Sequence, residues 1–208
     1  MTRRDDIGLW DAEAAGFDEA ADHGLRDGEV RAAWRELLLD RLPPAPSRIA
    51  DLGCGTGTLS VLLADAGHRV HGVDFSPEMV RRAVAKAAGR DASRGGVRFV
   101  VGDAAAPPLP AASYDVVLCR HVLWAMPDPA AALRTWLGLL VPGGRLVLVE
   151  GRWSTGAGLA AAETVALVEA AGRTASLTRL PEPRYWGREI ADERYVVVSA
   201  GPVDPPGS

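Results

Sequence analysis

Asp51-Leu52-Gly53-Cys54-Gly55-Thr56-Gly57 is the stretch whose reading decides the fold. It follows the short apolar run Arg48–Leu52 and precedes a helical pattern that sets Leu59, Leu62, Leu63 and Ala66 on one side. A strand, a glycine turn and a helix are therefore predicted in immediate succession. Glycines at such a turn let the backbone reverse tightly and approach a ligand closely. The helix that follows opens with unpaired N–H groups. In open α/β sheets, ligands bind outside the carboxyl ends of the strands.

Outward from that turn, strand and helix alternate. Gly67 ends the first helix, and Arg69–Val73 reads as a strand closing on Asp74. Ser76-Pro77 starts a helix, with Ser as N-cap and Pro at the first helical position. Val97–Val101 is a third strand ending at Gly102-Asp103, residues 107–110 are a proline-rich loop, and Tyr114–Cys119 is a fourth strand. Asp128-Pro129 repeats the cap and proline before Leu133, Trp136, Leu137 and Leu140. Pro142-Gly143-Gly144 is expected to turn the chain into a strand over Arg145–Glu150. A helix over about 158–171 and strands near 173–180 and 193–200 complete the pattern. Upstream, a helix is expected over 9–22 and another over 29–41, where Val30, Ala33, Trp34, Leu37 and Leu38 form an apolar stripe. Pro43, Pro44 and Pro46 stop it.

The alternation over residues 48–171 predicts a doubly wound α/β fold, with a mostly parallel sheet covered by helices on both faces. Residues 1–47 read as an N-terminal helical cap of the same domain, residues 48–200 as the domain proper, and 201–208 as a disordered tail.

The chain has 208 residues, enough for one domain with a real core. Its 27 acidic residues outnumber 23 Lys and Arg, giving a net charge of −4. Nucleic-acid binding normally requires a basic excess, so a small molecule is the expected partner. Only Cys54 and Cys119 occur, which excludes a disulfide framework or a C-x-x-C site. No metal ligand set is expected. No apolar run approaches the ~20 residues of a membrane span, and no secretory signal is visible. The expected compartment is the cytoplasm, away from membranes.

The turn departs from the dinucleotide fingerprint G-x-G-x-x-G, because its third glycine comes one position early and Thr58 stands where glycine belongs. With no G-K-[ST], it is not a P-loop either. Asp74 lies where these folds place the carboxylate that takes ribose hydroxyls; its other reading is a turn or helix-start residue. Asp103 could accept a hydrogen bond from an adenine amine; its other reading is a loop cap. The three strand ends would then hold glycines and two acids along one edge of the sheet.

These stretches resemble class I S-adenosylmethionine-dependent methyltransferases, specifically the small-molecule (type 11) group like the ubiquinone and menaquinone biosynthesis enzymes. The resemblance rests on Asp51–Gly57, Gly72–Met79, Gly102-Asp103-Ala104, Tyr114–Leu118, Pro127-Asp128-Pro129 and Leu140–Leu146, in the expected order. Phe17–Leu25 is also similar to the cap of bacterial members. The resemblance implies a Rossmann-like, seven-stranded sheet whose last strand runs antiparallel. It implies S-adenosyl-L-methionine as cofactor and S-adenosyl-L-homocysteine as product. Gly53, Gly55 and Gly57 would pass beneath the methionine and ribose. Asp51 would anchor the turn or meet the methionine amine through water, and Asp74 would hold the ribose. Phe75 and Met79 would pack on adenine, with Asp103 at its amino group and the Ala104 N–H at a ring nitrogen. The Arg120 carbonyl would face the methionine amine. Few residues separate Glu150 from the final helix, so a substrate lid must come from residues 1–47 or from a partner subunit, as in a homodimer.

Methyl transfer from a sulfonium is an in-line displacement that needs alignment and exclusion of water. A general base is required only if the acceptor must lose a proton. His121, just after the fourth strand, is the first candidate base, with a structural histidine as the other reading. His23, beside Asp22 in the cap, is the second, with a helix-end role equally open. His68 and His71 read as structural. Trp10, Trp124, Trp153 and Trp186 are candidates for an aromatic acceptor pocket, whereas Trp34 and Trp136 fit the core. Arg152 and Arg188 could bind an acidic substrate, although solvated arginines are commoner. The reading is a methyltransferase acting on O or N of a small metabolite. A cofactor-binding protein of another reaction class, or a non-catalytic binding module, remains the alternative. An RNA or protein methyltransferase would favour a basic face, and none is seen.

Overall fold

The structure, a computed structural model, describes residues 3–90 and 96–200, with side chains from residue 7 onward. Strands β1 (Arg48–Leu52), β2 (Arg69–Asp74), β3 (Gly96–Val101), β4 (Tyr114–Arg120), β5 (Leu140–Arg152), β6 (Ser176–Arg179) and β7 (Glu193–Ser199) form one sheet in the order β3-β2-β1-β4-β5-β7-β6. β1 pairs parallel with β2 and β4, and β4 pairs parallel with β5. β7 is antiparallel to both β5 and β6. The antiparallel last strand of a seven-stranded sheet is therefore as the resemblance implied.

The winding reverses between β1 and β4, the kind of switch point beside which open α/β sheets bind their ligands. Two apolar layers cover the sheet. On one face α3 (Gly28–Leu39) and α4 (Thr58–Asp65) bring Trp34, Leu38, Leu62 and Leu63 against Ile49, Val116, Leu118 and Val149. On the other, α6 (Pro129–Leu137) and α7 (Ala161–Ala170) bring Leu133, Trp136 and Val168 against Ala50, Val117, Leu148 and Val197. The central strands bury both faces, which is why they read as unbroken apolar runs. The predicted caps are present. Ser76 accepts the Met79 N–H at 3.1 Å ahead of α5 (Pro77–Ala87), and Asp128 accepts that of Ala131 at 2.9 Å ahead of α6.

Four local expectations are corrected. The helix expected over 9–22 is α1 (Arg3–Glu13), a 3-10 turn (Phe17–Glu19) and a one-turn α2 (Ala21–Gly24). Gly16 and Gly24 break it, and α2 ends on Leu25 in the left-handed region, φ 48°. Pro142-Gly143-Gly144 lies inside β5 rather than before it. The register steps from Tyr114↔Leu140 to Val116↔Arg145, so three extra residues bulge out and the proline needs no ladder partner. The last long helix starts at Ala161, later than 158. A short helix α8 (Pro183–Trp186), not expected, begins on a proline and ends at Gly187, φ 69°. The tail over 201–208 lies outside the described residues.

Candidate functional site

Gly53, Gly55 and Gly57 all have positive φ, 68°, 54° and 75°. Side chains are excluded at each for a different reason. A Cβ on Gly53 would stand 2.2 Å from Val122. One on Gly57 would stand 2.6 Å from the Phe99 ring and 2.8 Å from Ala83, so Gly57 serves the packing of α4 and α5 on the sheet. At Gly55 the neighbour is the Phe17 ring of the N-terminal segment, 3.1 Å away. The turn is tied to β2 by its backbone: the Gly53 and Cys54 N–H groups donate to the Val73 carbonyl at 2.8 and 3.0 Å.

Asp74 closes β2 and is buried. Its two carboxylate oxygens accept the Gly55 N–H at 2.8 Å and the Ser76 N–H at 2.9 Å. A carboxylate has about four lone-pair sites, so acceptor capacity remains beyond these amides. Burial pushes this carboxyl up from its ordinary value, against the pull of those amides. Asp51, on β1, accepts from Ser60 Oγ of α4 and is raised to about 6, chiefly by burial. It therefore anchors the turn's helix. Asp103 accepts the Ala105 N–H at 2.9 Å. Met79 and Ala104 are buried nearby along the strand ends, Phe75 is half-buried, and the Ala104 carbonyl accepts from Trp136 Nε1 at 2.7 Å. A bare turn, two strand-end acids and flanking apolar side chains suit a neutral sugar and a purine with an exocyclic amine. They would repel a ribose phosphate, so the donor set fits the adenosyl cofactor that the sequence implies.

The N-terminal segment closes over this edge. Asp18 accepts Thr56 Oγ1 and pairs with Lys86 of α5 at 2.8 Å, and Lys86 also donates to Thr56 and Thr58. Burial works against the Asp18 charge, but Lys86 and Thr56 outweigh it and hold the carboxyl below its ordinary value. Asp11 accepts from Ser76 Oγ and from the Glu78 N–H at 3.1 Å. Trp10 meets Phe17 edge-on at 6.2 Å, and Phe17 stacks on His23 at 4.3 Å. The half-buried Arg120 donates to the Asp22 carbonyl and lies 5.2 Å over the Trp34 ring.

A second group of side chains gathers past β4 and β5. His121 has φ 59°, a strained conformation for a side-chain-bearing residue, fixed by its N–H donating to the Val149 carbonyl at 2.9 Å. Its ring lies edge-on to Trp153 at 5.1 Å and stacks near Trp186 at 6.3 Å. Trp124 reaches the same Trp153 at 5.4 Å and donates its Nε1–H to the His121 carbonyl. His121 Nε2 is buried without a partner among the described residues. Burial first, then Arg120 and Arg194, depress its basicity well below the ordinary value. His23 is depressed by burial and by Arg120. Asp22, His23 and His121 bring one ligand atom each within 4.8 Å of one another, a spacing open to a cation, but the Arg120 charge beside both imidazoles opposes one.

The sequence-predicted residues thus fall into two adjoining groups. Asp51, Gly53, Gly55, Asp74, Phe75, Met79, Asp103 and Ala104 line the strand ends, and His23, Arg120, His121, Trp124, Trp153 and Trp186 gather beside them. Trp10 joins the first group through Phe17 rather than the tryptophans. His71 bonds Tyr114 at 2.8 Å, Arg152 is exposed beside Glu163, and Arg188 is exposed. Sequence reasoning missed Phe17, Asp18 and Lys86, the Arg120 side chain, Glu150 and Arg194. Glu150 accepts the Val122 and Leu123 N–H groups at 3.0 and 2.8 Å, holding the loop after His121, and burial raises it to about 8. A lone acid ending an apolar strand was its only signal.

A family model described as a methyltransferase domain matches residues 50–148. A ubiquinone biosynthesis O-methyltransferase of Xanthomonas axonopodis is 39% identical over 118 residues, 54% of this chain and 46% of that protein. A trans-aconitate 2-methyltransferase of Streptomyces avermitilis is 40% identical over 127 residues, 59% and 46% of the two chains. The chain spans about half the length of the curated relatives it matches. Among solved structures, the [4+2]-cyclase SpnF shares the fold with a TM-score of 0.70 at 22% identity, over 82% of this chain and 80% of that one.

Proposed function

We propose, on the premise that residues 50–148 match the methyltransferase domain family, that the protein is an S-adenosylmethionine-dependent methyltransferase acting on O or N of a small-molecule metabolite. The observation that carries the reading is the joining of the glycine turn to Asp74, which leaves carboxylate lone pairs at the strand ends. Asp74 takes the ribose hydroxyls, Asp103 the adenine amine, and Phe75, Met79 and Ala104 the faces and edge of the base. The bound cofactor supplies an electrophilic methyl group on a sulfonium that is already a good leaving group.

The chain's own work is alignment, dehydration and proton handling. Phe17, His23 and the Asp18–Lys86 pair keep water from the strand ends. Trp124 and Trp153 place an acceptor against His121. At neutral pH the imidazole is uncharged, so its unpartnered Nε2 is free to accept a proton. An acceptor hydroxyl or N–H becomes strongly acidic only as the new bond forms, and a weakly basic imidazole suffices at that point. The relatives' small-molecule substrates and the net charge of −4 support a metabolite as acceptor. We place the protein in the cytoplasm, where its two free cysteines stay reduced.

Purified protein incubated with methyl-labelled cofactor and a metabolite panel tests the proposal. Label should pass to an O or N of at least one small molecule. Tight homocysteine-product binding with no transfer to any acceptor class would favour a cofactor-binding protein of another kind.

A further inference from the structure

Arg194, at the start of β7, is 8% exposed. Its Nη2 donates to Asp192 at 3.0 Å, but Nε and Nη1 are buried with no partner among the described residues. A buried donor left unsatisfied is costly, so a guanidinium with two idle nitrogens signals a missing acceptor.

The surroundings hold this head group in place. β5 and β7 pair Gly151 with Arg194, and a Cβ on Gly151 would stand 2.8 Å from Arg194 Cδ and 3.0 Å from Nη1. Trp153 and Trp186 flank the guanidinium at 4.7 and 5.4 Å. The same two rings flank His121, whose Nε2 is the other unpartnered polar atom there. Arg188 adds positive charge beside Arg194, whose opposing carboxylates are those of Asp192 and Asp22; Arg120 has Asp22, Asp51 and Asp18 to offset it. Asp192 is already divided between Arg194 and the Ser154 N–H at 2.6 Å. Glu150 lies on the opposite face of the sheet, beside Tyr195 rather than Arg194.

We propose that Arg194 binds a carboxylate of the acceptor, so that the substrate is a small organic acid held against Trp153 with its nucleophilic atom at His121. This rests on the methyltransferase reading and narrows it. A carboxylate would supply the acceptor atoms that Nε and Nη1 lack.

Tryptophan fluorescence of the full chain, saturated with S-adenosylhomocysteine, gives a readout independent of turnover. The probes are a panel of aromatic and aliphatic monocarboxylates, each paired with its neutral amide, for instance 4-hydroxybenzoate against 4-hydroxybenzamide. At least one acid should bind about 10-fold or more tightly than its amide. Arg194→Gln should erase that preference, Arg194→Lys should keep part of it, and Arg152→Gln should leave it intact. Circular dichroism on each variant checks the fold. Equal binding of every acid and its amide by the wild type, or no acid binding at all, overturns the proposal without needing any variant. An undiminished preference in Arg194→Gln overturns it too. Calorimetry of S-adenosylhomocysteine on the same samples separates the two levels: failure there sinks the methyltransferase reading, whereas normal cofactor binding without charge preference sinks only the role of Arg194.

Discussion

Asp74 accepts the Gly55 N–H at 2.8 Å, so the acid that ends β2 and the glycine turn that follows β1 form one unit. The carboxylate both shapes the turn and presents its remaining lone pairs at the strand ends. Asp74→Ala should therefore weaken S-adenosylhomocysteine binding by about 3 kcal/mol, roughly a hundredfold, as two charge-assisted hydrogen bonds are lost. Isothermal titration calorimetry measures this directly; unchanged affinity contradicts the ribose assignment.

Gly57→Ala should destabilise the fold by about 3 kcal/mol, combining positive-φ strain with overpacking. The added methyl would meet Phe99 and Ala83, both of which face the sheet and helices rather than a ligand. Chemical denaturation should recover part of the loss in the Gly57→Ala/Phe99→Leu double variant. No recovery would mean that backbone strain alone accounts for the effect.

His121→Ala should cut turnover by about 100-fold, the usual scale for a general base. Cofactor affinity should change by no more than about a factor of 2, because Asp74 and the turn do not depend on the ring. Parallel loss of affinity and turnover would make His121 a structural residue.

Glu150→Gln should flatten the pH dependence of stability. The folded carboxyl is raised by burial to about 8 from an ordinary 4.5. Between those values the native state holds a proton that the unfolded chain has lost, so stability from this group falls as pH rises through that window. Thermal melts of wild type and variant should diverge in favour of the glutamine as pH climbs from 5 to 8 in roughly unit steps. A constant difference would show that Glu150 is ionised in the fold.

Asp18→Asn should loosen the N-terminal segment with little change in global stability, since the half-buried pair with Lys86 is worth about 1 kcal/mol or less. Limited proteolysis within residues 14–27 should accelerate, and S-adenosylhomocysteine should dissociate faster in stopped-flow. Unaltered rates would mean that the segment is held by Asp11 and Phe17 alone.

Much of this was legible in the chain itself. The mostly parallel, doubly wound sheet follows from the alternation of elements, and the caps at Ser76 and Asp128 declare themselves by the proline that follows each. Asp51, Asp74 and Asp103 are visible because a strand end is a position in sequence as well as in space. What stayed hidden depends on pairing between distant segments. Arg194 matters because antiparallel register sets it opposite Gly151, and no local pattern announces that. Asp18 and Lys86 are 68 residues apart and meet only because the N-terminal segment folds back over α5. The bulge at Pro142–Gly144 reads locally as a turn, and only the β4 register reveals a strand on both sides of it.

The most direct measurement is a crystal structure of the protein soaked with S-adenosylhomocysteine. The account places the ribose hydroxyls on Asp74, the adenine between Phe75, Met79 and Asp103, and the sulfur facing His121 and Trp153. A nucleoside bound away from Asp74, or clear density for the protein with none for the ligand at saturating concentration, would contradict it.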